Sequence, residues 1–315
     1  MHTPDRMVRE QAAEELRAGF ALQPKSLPPK FFYDERGSAL FEQITALPEY
    51  YPTRTERTLL EQWVPRWVEA VQPRSVVELG AGSAAKTRII LEAVSRLRSN
   101  AAFVPVDISA DFLEMTAAEL RNEYPDLDIR PLVSDLGQPL QLPSDLPRPA
   151  LVAFLGSTIG NFAEEDAVAL LGRFADQMTD EDVFLIGFDL VKEASILEAA
   201  YDDRSGVTAE FNLNMLRVLN ALTGSNFDPS KFSHLAFYNR EQSRVEMHLI
   251  SETDQTVTLP DGTAWALGEG ETIRTEISCK YERDGVERML SSAGLRVREW
   301  TTDELDYYAL ALVGR

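Results

Sequence analysis

Cysteine is almost missing from this chain. One residue, Cys279, stands in 315, which excludes an internal disulfide framework and a cysteine-rich zinc site. Histidine is nearly as scarce: His2, His234 and His248 are scattered, and no spacing among them matches a metal-ligand motif, so no metal is expected. No apolar run reaches the roughly 18 residues a membrane helix needs. The opening stretch MHTPDRMVREQAAEELRAGF also lacks the apolar segment of a signal peptide. The expected setting is therefore reducing and cytoplasmic, with no membrane partner. Basic charge is short as well: 31 Lys and Arg face 51 Asp and Glu, for a net charge of -20, with no Lys/Arg-rich run. Neutralising phosphates supplies much of the affinity for nucleic acid, so a nucleic-acid partner is not expected. What is present is an ordinary globular mix, 44% apolar and 26% charged, which excludes wholesale disorder. The length suits one large or two modest domains.

Met7, Ala12, Leu16 and Phe20 fall near helical spacing, so residues 6–20 read as a short amphipathic helix. A Pro-rich, turn-forming segment, LQPKSLPPKFFYDERG, follows. Aromatics are dense from there on: Phe31, Phe32, Tyr33, Phe41, Tyr50 and Tyr51 make either a satellite hydrophobic cluster or the wall of a small-molecule pocket. A helix is expected over 55–71, with Leu59, Leu60, Trp63 and Trp67 on one side. The texture then changes. SVVELG, AFVPVDIS, IRPLVSDL, ALVAFLGSTIGN and VFLIGFDLV read as strands, separated by helical patterns such as AKTRIILEAVSRLR. Continuous apolar strands alternating with helices imply a mostly parallel sheet covered on both faces. After Val191, two helical stretches lead into LAFYNREQ, SRVEMHLISET, TVTLPDG and ETIRTEISCKYE, which read as antiparallel strands. The chain closes on helix, strand, loop and strand.

VVELGAGSAAKT is the sharpest local motif. A strand runs into Gly80 and Gly82 and opens into a helix. Glycine belongs where a backbone must turn tightly and approach a ligand, and open α/β sheets bind ligands beyond the carboxyl ends of their strands. On its own, the loop does not separate a nicotinamide dinucleotide from S-adenosylmethionine, because Gly80, Gly82, Ala85 and Asp107 also fit the dinucleotide fingerprint. Three features favour S-adenosylmethionine. Glu78 stands two residues before Gly80, as in the acidic-x-Gly-x-Gly pattern of class I methyltransferases. Asp107 closes the second strand, where a carboxylate can accept both ribose hydroxyls. The strand–loop–strand ending resembles the closing hairpin of the methyltransferase sheet. Asp135, after the third strand, is either a turn-forming acid or the acceptor of the adenine amino group.

LPPKFFYDERGSALFEQITALPEYYPTRTE, ELGAGSAAKT, PVDIS, FLGSTIGNF, AYDDRSGVTAEFNLNMLRVLN, RVEMHLIS and TEISCKY, in this order, resemble the L-histidine Nα-methyltransferase family of ergothioneine biosynthesis. The likeness extends from about residue 25 to the C-terminus. It implies an α/β fold: a class I, Rossmann-like methyltransferase domain over 57–192 and 284–315, and an α+β substrate-binding domain over 1–56 and 193–283. The implied cofactor is S-adenosylmethionine, on Gly80, Lys86, Asp107 and Asp135 with Leu136 beside the adenine. The implied substrate is free L-histidine. Its carboxylate falls to Tyr50, Asn161 and Tyr201, its imidazole to Glu276 and Ser278 with Met247 packing nearby, and its amino group to Tyr33, Phe41, the Gly156 backbone and the Thr158 hydroxyl. Tyr33 is the candidate for orienting the amine rather than a strong base, since an ordinary tyrosine titrates at about pH 10.

Each assignment has a plain counterpart: a strand acid for Glu276, a loop amide for Asn161, a solvated helix-start cation for Lys86. The reaction implied is successive N-methylation, with hercynine as the trimethylated product. A monomer is expected. A relative acting on tryptophan or tyrosine is the alternative within the class; Glu276 and Met247 argue for histidine, because a larger indole would prefer neither an acid partner nor a crowded wall.

Overall fold

The apolar runs pair into an eight-stranded sheet in a computed structural model that describes residues 6–315; His2 lies outside the described residues. Across this sheet the order is Arg296–Thr302, Tyr308–Gly314, Val183–Asp189, Ala150–Phe154, Ser75–Leu79, Ala102–Asp107 and Asp128–Ile129, with Leu132–Val133 also pairing the Ala102–Asp107 strand. Val183–Asp189 through Ala102–Asp107 run parallel. Tyr308–Gly314 lies antiparallel between Val183–Asp189 and Arg296–Thr302, as the closing-hairpin reading requires. The central strands are buried at every position, so both faces must be apolar.

One face carries a core that includes Phe154, Phe174 and Leu290, under the helices Glu164–Ala175 and Arg283–Ser292. The other carries Leu60, Trp67 and Ile90, under Tyr51–Val71 and Thr87–Leu97. The strand order turns at Ser75–Leu79, whose neighbours lead away in both directions, and the crevice at such a point is where open α/β sheets bind ligands.

Two elements differ from the sequence reading for identifiable reasons. The helix expected over 55–71 starts at Tyr51, because Pro52 is accommodated in a first turn whose N–H groups have no intrahelical partner. IRPLVSDL splits around Pro131 into Asp128–Ile129 and Leu132–Val133, since proline cannot donate to the ladder.

Contacts divide the chain into two compact units, 6–50 with 193–277 and 51–192 with 278–315 among the described residues. The first and last boundaries fall a little earlier than the sequence reading set them, the first because Tyr51 already belongs to the long helix. The sheet just described belongs to the second unit.

In the first unit, Lys25–Ser26, Thr272–Cys279, Arg244–Ser251 and Phe232–Asn239 lie side by side in a four-stranded sheet. The helix Val207–Thr223 packs on it and on Glu35–Thr45, between left-handed glycines at both ends, Gly206 and Gly224. Asp34 caps Glu35–Thr45 by accepting from the Gly37 amide at 2.7 Å. The Asn214 amide reaches the same carboxylate oxygen at 2.8 Å, tying the two helices together. A hairpin, Gln255–Thr258 with Ala264–Leu267, includes a strand the sequence reading did not name. Among the described residues, no helix is long and apolar enough to cross a membrane.

Gly187 stands in the middle of the buried Val183–Asp189 strand, where glycine weakens a ladder and marks close approach. A Cβ there would collide with the carboxylate of Glu56 and the phenol of Tyr308. Gly187→Ala is expected to destabilise the fold by about 2–4 kcal/mol, seen as a lowered midpoint in thermal unfolding. An unshifted midpoint would mean that Glu56 and Tyr308 can move aside at no cost.

Candidate active site

In the 51–192 and 278–315 unit, the glycine loop leaves the sheet at the Ser75–Leu79 strand. Gly80 (φ +72°) and Gly82 (φ +51°) both take left-handed backbone. A Cβ on Gly82 would meet nothing within 4 Å, so glycine is required there by conformation, and the space beside it is open. Asp107 braces the loop. Its Oδ2 accepts from the Gly82 amide at 2.9 Å and its Oδ1 from the Ser109 amide at 3.0 Å. Beside it, two apolar side chains stay exposed: Val133 (54%), the register partner of Asp107, and Ile108 (36%). Asp135 closes a tight turn by accepting from the Gly137 amide at 2.9 Å. Leu136 packs half-buried against the core.

Glu78 is 3% exposed, and its Oε2 has no hydrogen-bond partner. Burial pushes its carboxyl up to about 8, with the Glu56 and Asp107 carboxylates adding to the effect and Thr87 and Lys86 opposing it. Lys86 donates to Glu56, which is wholly buried. Glu56 also accepts from the Gly156 amide at 2.8 and 2.9 Å and from the Tyr308 hydroxyl at 2.7 Å. The Gly156 amide, expected to face the substrate, is thus committed to Glu56, a residue the sequence reading did not name. The glycine inside VFLIGFD was the available signal.

The turn after Ala150–Phe154 is tightly held. The Thr158 hydroxyl donates to the Leu155 carbonyl at 2.8 Å, and Asn161 ends the short helix Thr158–Asn161. Ser278 accepts from Lys280 at 2.7 Å. Lys280 and Lys192 both pair with the buried Asp189, at 2.8 and 2.6 Å, and Tyr51 donates to it at 2.7 Å. Burial alone would raise the Asp189 carboxyl, but the two ammonium charges outweigh it and hold it below its ordinary value.

These groups fit S-adenosylmethionine. A buried carboxylate oxygen without a donor stands beside a left-handed glycine turn, where an ammonium group would satisfy it. A carboxylate on the second strand and an apolar edge beside it suit a ribose and an adenine. Among the described residues, no three His, Cys, Asp or Glu side chains come together as metal ligands.

In the 6–50 and 193–277 unit, one cavity is lined by Tyr33, Phe41, Tyr50, Tyr201, Met247 and Glu276, drawn from four separate stretches of sequence. Glu276 is its single charged wall residue. The rings meet edge-to-face, Tyr33 with Phe41 at 5.9 Å and Tyr50 with Tyr201 at 6.3 Å between centroids. Thr208 and Phe211, both on the helix Val207–Thr223, also line it, with Ile44 and Ala200. Phe211 stacks on Phe32 at 4.5 Å and reaches Tyr33 at 5.7 Å. Neither was named from sequence, although their three-residue spacing puts them on one helical face. Gly156, Thr158, Asn161 and Ser278 belong to the other unit.

A family profile described as histidine-specific, SAM-dependent methyltransferase matches residues 12–315. The histidine N-alpha-methyltransferase of Mycolicibacterium smegmatis is 40% identical over 97% of this chain and 95% of its own length. The ergothioneine biosynthesis protein 1 of Neurospora crassa is 31% identical over 88% of this chain, which spans 32% of that longer protein. Among solved structures, the mitomycin 7-O-methyltransferase MmcR shares the fold, with a TM-score of 0.50 at 15% identity over 98% of this chain and 67% of its own.

The raised pKa of Glu78 has a definite sign. The folded state holds its proton up to about pH 8, whereas an ordinary glutamate loses it near 4.5, so the stability gained is full at acid pH and lost as pH rises through about 8. Thermal unfolding of the cofactor-free protein should show a midpoint that falls between about pH 5 and pH 8 and levels off above it, and Glu78→Gln should flatten that fall. The same fall in the variant would assign the titration to another group.

Proposed function

The chain belongs to the histidine-specific, S-adenosylmethionine-dependent methyltransferase family, and we propose that it methylates the α-amino group of free L-histidine. The observation that carries this reading is the cavity that gathers Tyr33, Phe41, Tyr50, Tyr201, Met247 and Glu276. It offers what a zwitterionic, imidazole-bearing amino acid needs. The phenols of Tyr50 and Tyr201 donate to a carboxylate without adding a formal charge. Glu276 accepts an imidazole N–H, and Met247 packs against the ring. Tyr33 orients the amine, with Phe41 beside it.

Bound S-adenosylmethionine supplies an electrophilic methyl group on sulfur, which leaves as a neutral thioether. Little acid–base chemistry is asked of the protein during the transfer; its work is alignment and the exclusion of water. The amine has to be unprotonated when it reacts, and its proton passes to water or a nearby group. Asp107 and Asp135 are proposed to hold the ribose and adenine groups, Lys86 the carboxylate end, and the Gly80 turn the close backbone approach. The residues read for the substrate on the other unit, Gly156, Thr158, Asn161 and Ser278, keep the roles the resemblance implies, except that the Gly156 amide is already bonded to Glu56.

Three successive transfers would give the trimethylated betaine hercynine, an intermediate for ergothioneine. Aromatic rings around the amine support this part of the reading, because they favour a growing cationic nitrogen.

The test is a mass-spectrometric assay with S-adenosylmethionine and an equimolar mixture of the amino acids. Histidine gaining three methyl groups is the expected product. Glu276→Ala should lower kcat/KM for histidine by about 10–100-fold while leaving S-adenosylhomocysteine affinity alone. Methylation of tryptophan or tyrosine instead would overturn the substrate reading and keep the reaction class.

A further inference from the structure

Behind the cavity wall runs a chain of hydrogen bonds that the proposed reaction does not use. Asn212, fully buried, donates from Nδ2 to the His248 carbonyl at 3.1 Å, and the same nitrogen faces Nδ1 of His234 at 2.8 Å. On its far side, Nε2 of His234 faces the Tyr201 carbonyl at 2.9 Å. The protons follow by elimination. A carbonyl only accepts, so the amide nitrogen of Asn212, not its oxygen, must face His248. That nitrogen only donates, so Nδ1 of His234 must be the bare acceptor. The Tyr201 carbonyl also only accepts, so Nε2 carries the hydrogen. His234 is therefore fixed as a neutral ring with its proton on Nε2. Burial lowers its pKa, opposed by the Tyr201 carbonyl and by Asp202 and Asp203, the charged groups that face it.

Every link adjoins the cavity. Tyr201 lines it and ends the helix Ala194–Tyr201, whose last carbonyls have no intrahelical donor. Asn212 follows Phe211 on the helix Val207–Thr223, and His248 follows Met247 on the strand Arg244–Ser251. The imidazole thus joins two helices that present wall residues, and Asn212 extends the tie to the strand of Met247. We propose that His234 is a positioning residue for the amino-acid substrate, holding Tyr201 and Phe211 at the spacing the cavity requires; this rests on reading that cavity as the substrate site. Protonation at Nδ1 would set donor against donor at Asn212, so the arrangement also requires His234 to stay neutral.

The variants His234→Leu and His234→Gln separate this role from simple filling of the core. Leucine keeps bulk and loses both bonds, whereas glutamine offers one donor and one acceptor as the neutral ring does. With S-adenosylhomocysteine present, calorimetry should find histidine bound about tenfold more weakly by His234→Leu and within about threefold of wild type by His234→Gln. S-adenosylhomocysteine affinity itself should not change in either. Unaltered histidine binding by His234→Leu, a parallel loss of S-adenosylhomocysteine affinity, or no recovery with glutamine would each overturn the proposal. Two readouts do not depend on the substrate. The 15N spectrum of the imidazoles, only three of which exist in the chain, should show His234 protonated on Nε2 alone. Amide exchange across 197–215 should quicken in His234→Leu. A wild-type protein that ignores histidine would sink the functional reading, while a ring protonated on Nδ1, or unchanged exchange, would sink this one.

Discussion

The carboxylate of Glu56 has no contact with water, and a buried charge persists only when it is paired and hydrogen-bonded. Its partners come from distant parts of the chain: the Lys86 ammonium where the glycine loop enters its helix, the Gly156 amide after the Ala150–Phe154 strand, and the Tyr308 hydroxyl on the last strand. Neighbouring sequence bends to that requirement. Gly187 has no Cβ because Glu56 and Tyr308 occupy its place, and Gly156 turns left-handed (φ +75°) with its amide aimed at the carboxylate. The charge of Lys86 is balanced locally, and Glu56 is one of the carboxylates that help keep Glu78 protonated. Glu56, Lys86, Asp107 and Glu78 thus form one coupled electrostatic group.

The two units solve different problems. The parallel sheet presents its candidate ligand groups from strand ends and loops, and several are already hydrogen-bonded to nearby backbone: Asp107 to Gly82 and Ser109, Asp135 to Gly137, Thr158 to Leu155. Such side chains hold position before any ligand arrives, which lowers the ordering cost of binding. The other unit builds its cavity from aromatic rings on short helices, with one carboxylate, Glu276, at the wall. Apart from that acid the cavity wall is uncharged.

Much of this was legible in the sequence, and the failures have physical causes. Continuous apolar strands announced a sheet buried on both faces, and Gly80, Gly82 and Asp107 announced its ligand-binding edge. Tyr33, Phe41, Tyr50, Tyr201, Met247 and Glu276 came from resemblance; no periodicity would have brought residues so far apart in sequence to one cavity. Glu56 and the bonding role of His234 were invisible for opposite reasons. A glutamate on an amphipathic helix reads as solvated, and a lone histidine in a strand reads as core, because what sets each apart is a partner contributed by another element. Pro52 and Pro131 were visible throughout, yet their effects on the helix start and on the split strand depend on whether the missing N–H had a ladder to join.

Tyr308–Gly314 lies inside its sheet, buried at every residue and flanked on both sides, although it follows every other strand of the sheet in sequence. On the ribosome, a nascent chain that has emerged only as far as residue 302 therefore carries Val183–Asp189 with one edge unpaired, and Glu56 without its phenol donor. An apolar, unpaired strand edge is the form in which chains stick to one another. That edge closes only once Tyr308–Gly314 has emerged, so the growing chain exposes a surface that the finished sheet hides.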